Sequence, residues 1–126
     1  MPRIYAYVDG SDLHEVEGML LKKFRCFSES WGIESAQVVN EKYPRTSDLA
    51  PEDFPDWYLG LNFEFESLPR DKIEALVEFL ASIADETDRE FVIGAYHQAT
   101  GATEDWCFIG PEIKPETVEF LVGQLQ

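Results

Sequence analysis

Trp57-Tyr58-Leu59-Gly60-Leu61-Asn62-Phe63-Glu64-Phe65-Glu66 is the stretch on which the fold turns. Large apolar side chains take every odd position. Tyr58, Gly60, Asn62, Glu64 and Glu66 take every even one. A period of two sends alternate side chains to opposite faces of an extended chain. The stretch therefore reads as a β-strand with one buried face and one partly acidic face.

Upstream, Pro44 to Asp56 holds three prolines and no hydrophobic period. It reads as a loop longer than most in compact domains, and long loops often carry function. Before it, Glu34 to Tyr43 reads as another strand. Downstream, Ser67-Leu68-Pro69 opens a helix, because proline's fixed φ suits the first turn. Ile73, Leu76, Val77, Leu80, Ile83 and Ala84 give that helix its apolar face,.

At the N-terminus, Ile4, Ala6 and Val8 alternate with Tyr5, Tyr7 and Asp9. Apolar groups on both faces mark a central strand. Gly10-Ser11-Asp12 reads as a turn, with Ser11 or Asp12 capping a helix. Leu13, Val16, Leu20, Phe24, Phe27 and Trp31 share one face of that helix, and Gly32 supplies its left-handed stop,. Towards the C-terminus, Asp85 to Glu90 reads as a polar turn. Phe91 to His97 and Trp106 to Ile109 read as a hairpin around Thr100-Gly101-Ala102. Pro111 ends it, and Pro115 starts a last helix carrying Val118, Leu121, Val122 and Leu125.

The resulting order is β-α-β-β-α-β-β-α. It predicts a single α+β domain over residues 1–126, a two-layer sandwich. The expected arrangement is the ferredoxin-like split βαβ, with an added hairpin strand and a C-terminal helix. That arrangement supports many unrelated functions, so function must come from the site.

Charge narrows the class. Asp and Glu number 25 against 10 Lys and Arg, a formal net of −15. Residues 1–50 carry 6 basic and 8 acidic side chains, residues 51–126 carry 4 and 17. An uneven acidic field steers basic partners and repels polyanions, so nucleic acid and anionic membrane are not expected as partners. No apolar run is long enough to span a bilayer, and the N-terminus has no signal-like segment, so a cytoplasmic location is expected. Cys26 and Cys107 lie in apolar patterns and read as reduced, mostly buried thiols.

Motif chemistry is sparse. His14-Glu15-Val16-Glu17-Gly18 lacks the second histidine that a helical zinc site needs. No phosphate loop, dinucleotide turn or calcium loop is present, so neither cofactor nor metal is expected. His97 and Cys107 sit on the two hairpin strands, and a thiolate–imidazolium pair would follow if they faced each other. The negative local field raises a thiol pKa and opposes it. No catalytic residues are assigned.

The loop containing Glu52, Asp53, Phe54 and Asp56 mixes aromatics, acids and prolines, and Glu104-Asp105-Trp106 beside the hairpin tip likewise sets acids against an aromatic. Interfaces favour aromatic anchors rimmed by polar groups, and prolines reduce the entropy lost on docking. These seven residues are the expected partner-binding set. The expected function is a non-enzymatic inhibitor of a basic protein, such as a bacterial immunity protein against a toxin nuclease. The alternatives are a ferredoxin-like domain with a small-molecule or enzymatic pocket lined by Phe63, Phe65, Tyr96, His97 and Trp106, or a regulatory subunit of a larger complex.

Overall fold

Burial on both faces of the first strand sets the centre of the molecule. In the computed structural model, which describes residues 3–10, 12–42, 57–65, 67–97 and 100–125, Ile4, Tyr5, Ala6, Tyr7 and Val8 are all buried. The elements run β1 (Arg3–Val8), α1 (Glu17–Trp31), β2 (Gln37–Lys42), β3 (Trp57–Glu64), α2 (Arg70–Thr87), β4 (Phe91–Tyr96), β5 (Thr103–Ile109) and α3 (Pro115–Leu125). Among the described residues the strands form one antiparallel sheet in the order β2-β3-β1-β4-β5. The protein is thus α+β, and β1 is the central strand that its two-faced pattern implies.

The helices share one face of this sheet. Leu20, Phe24 and Trp31 of α1, Leu76 and Leu80 of α2, and Leu121 and Leu125 of α3 join one core with Ile4, Ala6, Leu61 and Phe63. Ring contacts tie the helices to each other and to the sheet. Phe27 stacks on Phe79 at 4.3 Å, and Trp31 meets Phe63 edge-on at 4.9 Å. Trp31 Nε1 donates to the Lys72 carbonyl at 3.0 Å, and Lys72 Nζ donates back to the Trp31 carbonyl at 2.6 Å. This reciprocal pair locks the end of α1 to the start of α2.

Among the strands, β2 begins at Gln37 rather than Glu34, β4 ends at Tyr96 rather than His97, and β5 begins at Thr103 rather than Trp106; the helix boundaries differ from expectation in three places. Helix α1 begins at Glu17, with Val16 as an N-cap that makes no side-chain cap bond. Residues 13–16 form a turn instead, in which the Val16 and Glu17 N–H groups both donate to the Leu13 carbonyl. That turn takes Leu13 fully into the core, and burial of a leucine outweighs a cap by Asp12,. Ser11 lies outside the described residues. Pro69 is the cap residue of α2 rather than its first helical residue. Helix α2 then continues through Asp85 and Glu86 to Thr87, because buried Ile83 and Ala84 hold its last turns on the sheet. It stops at Asp88, which is left-handed with φ 57° and donates its N–H to the Ala84 carbonyl.

The hairpin register carries one irregularity. Ile93 pairs with Cys107, but Gly94 pairs with Asp105, so Trp106 is an extra residue in β5. A β-bulge of this kind re-aims the side chains beyond it. Gly94 is required at its position for a second reason. A Cβ there would fall on the Glu104 carbonyl and on the phenol of Tyr5.

Gly94→Ala should therefore destabilise the protein by about 1–3 kcal/mol, the usual cost of forced overpacking. Urea unfolding measures this, and an unchanged midpoint would show that Tyr5 does not lie across Gly94.

Candidate functional site

The sheet face opposite the helices is built from cross-strand rows. One row runs Gln37, Asn62, Tyr5, Gly94, Asp105, and the next runs Val39, Gly60, Tyr7, Val92, Phe108. Tyr96 pairs with Arg3 and Thr103, and Tyr58 with Glu41. Tyr5, Tyr7 and Val92 are the buried members of a second cluster, which includes no helix residue.

The tyrosines pack as rings and connect as phenols. Tyr5 stacks on Tyr7 at 5.1 Å and meets Tyr96 edge-on at 5.3 Å, while Tyr58 tilts against Tyr7 at 5.6 Å. The Tyr7 hydroxyl donates to Asn62 Oδ1 at 2.6 Å and lies 2.7 Å from the Tyr96 hydroxyl. The Tyr5 hydroxyl donates to Asp105. Among the described residues no buried side-chain polar atom lacks a partner, as buried phenols require,.

Burial raises the pKa of both Tyr5 and Tyr7 above the ordinary 10.0. The bond to Asp105 adds to this for Tyr5, and the Tyr96 hydroxyl for Tyr7. Charging either phenol would put an anion in a dry, already acidic setting.

Around these rings the face is concave. A groove of about 570 Å³ is lined by Tyr5, Tyr7, Tyr58 and Tyr96 together with the carboxylates Asp9 and Asp105. Glu41 and Glu64 lie on the same face by register. Arg3 stands with its guanidinium 5.3 Å from the centre of the Tyr96 ring.

The expected partner-binding residues divide. Glu52, Asp53, Phe54 and Asp56 lie outside the described residues. The bulge splits the run at 104–106. Asp105 joins the tyrosine groove, Trp106 is half-buried against the helix-side core, and exposed Glu104 bonds His97 Nε2 at 2.9 Å. The pocket expected between sheet and helices does not form from its named residues. Phe63 and Phe65 belong to the helix-side core, whereas Tyr96 faces the other way, as strict alternation demands,.

His97 and Cys107 do not pair. Cys107 sits opposite Ile93, His97 opposite Ala102, and the His97 ring is taken by Glu104. Burial pushes the Cys107 thiol up to about 11, away from thiolate chemistry,. His14 is exposed and meets Trp57 edge-on at 5.1 Å. Among the described residues no group of three or more His, Cys, Asp and Glu side chains could hold a metal ion.

The chain was compared with protein-family models, curated proteins and solved structures, and it matches none of them. The tyrosine groove therefore rests on its own geometry. Tyr5 and Tyr7 are visible in sequence as the second face of a central strand. Their meeting with Tyr96, Asn62 and Asp105 depends on register and on the bulge, which sequence periodicity does not encode.

Two measurements check this site. Neutral phenols favour the folded state, so the contribution of Tyr5 and Tyr7 is complete below their unfolded pKa near 10.0 and is lost as pH rises beyond it,. Alkaline titration of phenolate absorbance should show two of the 5 tyrosines ionising only together with unfolding. A single titration of all of them near the free value would contradict the buried network. Cys26 is exposed, not buried as its apolar pattern suggests, so with a thiol reagent at mildly alkaline pH it should react well before Cys107. Equal rates would mean that Cys107 is not shielded by the helix layer.

Proposed function

We propose that this chain is a non-enzymatic acidic binding protein that docks a basic protein and neutralises or regulates it. The observation carrying this reading is the tyrosine-floored groove with Asp9 and Asp105 in its wall, in a chain of net charge −15. Tyrosine supplies large, rigid contact area with few rotamers to freeze, and it is enriched at energetic hot spots. Surrounding carboxylates speed encounter with a cationic surface and disfavour anionic competitors.

The finer form of the proposal is an immunity protein that blocks a bacterial toxin, such as a nuclease, in the cytoplasm. Enzymes that act on nucleic acid present positive surfaces, and a small acidic domain covers one well. Among the described residues no helix is long and apolar enough to cross a membrane. For the architecture, we read the order β2-β3-β1-β4 as the ferredoxin-like split βαβ, with β5 added at the edge and α3 closing the helix layer,.

A second reading, a small-molecule site, is favoured by one observation. The groove volume of about 570 Å³ lies within the range of about 300–1,000 Å³ found for ligand pockets,.

The protein-docking reading is tested by retention from lysate of the source cell, comparing wild type with Asp9→Lys, in the groove wall, and Tyr96→Ala. A basic protein held stoichiometrically, released by salt, and inhibited in its own activity supports it. Asp9→Lys should slow association, and Tyr96→Ala should speed dissociation by about tenfold or more, as lost anchors do. A protein retained equally by all three forms, or none retained at low salt, would overturn it.

A further inference from the structure

We propose that the tyrosine groove is a guanidinium site that receives an arginine side chain of the basic partner. The source of the cation rests on the docking reading above, while the site itself stands on its own geometry.

The groove brings together the two features that bind a planar organic cation, aromatic faces and free carboxylate. Tyr5 and Tyr7 form its buried floor, Tyr58 and Tyr96 are its more exposed rings, and ring faces attract cations through their quadrupole,. Asp9 and Asp105 line the same groove, and among the described residues neither forms an ion pair. Asp105 Oδ1 accepts the Tyr5 hydroxyl, which fixes that carboxylate at the wall. Both carboxylates are exposed, so an arriving cation reaches them without displacing an existing ion pair.

Charge on this face is otherwise one-sided. Arg3 is the one described cation that strand register places there, and it is not among the residues lining the groove. Its guanidinium already stands over the Tyr96 ring, so the same face shows within the chain the contact proposed for the ligand. A guanidinium suits the site better than an ammonium. It is flat enough to stack on a ring while its fork of N–H groups meets a carboxylate, and it loses less hydration on entry.

The test is a titration of the isotope-labelled full chain with Nα-acetyl-arginine amide at constant ionic strength, followed by backbone amide NMR shifts. The lysine and citrulline analogues serve as comparisons. The arginine probe should shift Tyr96, Thr103 and Asp105 with a Kd on the order of 1 mM, at the weak end of specific binding. The lysine probe should bind several-fold more weakly, and neutral citrulline should leave the groove unshifted. Asp105→Asn keeps an acceptor for Tyr5 but removes the charge, and it should weaken arginine binding about tenfold. Asp85→Asn, at the exposed end of α2, should change nothing.

Equal shifts from citrulline, shifts spread over Asp85 to Glu90 instead of the groove, or no groove shift well above about 1 mM would overturn the guanidinium site. If a basic partner is retained through the groove while the arginine probe is silent, this inference fails and the docking reading survives. If arginine binds but no basic protein is retained, the guanidinium site stands and its ligand is a small guanidine compound.

Discussion

The whole structure depends on β1 being buried on both faces at once. Ile4, Ala6 and Val8 face the helices, and Tyr5 and Tyr7 face the opposite way. A strand with only one apolar row can sit at an edge or leave one face wet. A strand with two must be flanked by other strands and covered above and below. Placing β1 between β3 and β4 satisfies its backbone on both sides. The helix layer then satisfies the aliphatic row by simple apolar burial. The tyrosine row cannot be satisfied that way, because each phenol needs a polar partner. Asn62, Tyr96 and Asp105 are there to meet that need.

That requirement explains two local oddities. Gly94 carries no side chain because the Tyr5 ring lies over it. The strand β5 is bulged at Trp106 because, in an unbroken register, Trp106 rather than Asp105 would stand opposite Gly94. The bulge thus separates an aromatic destined for the core from a carboxylate destined for the groove. A stability feature, the satisfied phenol, and the acidic aromatic groove to which we assign docking come from the same set of contacts.

Much of the fold was legible in the chain. The alternation of Trp57 to Phe65, the helical spacing of Ile73 to Ala84 and the two-faced pattern of Ile4 to Val8 each rest on one dominant period, and each forms as read. The misjudged helix boundaries lie where a buried side chain overrides a local signal. Leu13 pulls a turn inward ahead of α1, and Ile83 holds α2 helical past its polar run. The candidate site was legible only in fragments. Asp105 stood out as an acid beside an aromatic, and Tyr5 and Tyr7 as a strand face. Nothing in one dimension joins residues separated by 100 positions across a bulged register. Trp106 looked like a surface anchor because the bulge that turns it towards the core leaves no mark in the periodicity.

The central claim is that the tyrosine face, and not the helix layer, meets the partner. Hydroxyl-radical footprinting of the free protein and of its complex addresses this directly, since both surfaces carry reactive aromatics. Tyr58 is 38% exposed on the tyrosine face, and Phe120 is 43% exposed on α3. The account predicts that the complex protects Tyr58 and Tyr96 and leaves Phe120 as reactive as before. Protection of Phe120 with unchanged oxidation of Tyr58 and Tyr96 would place the interface on the helices and contradict it.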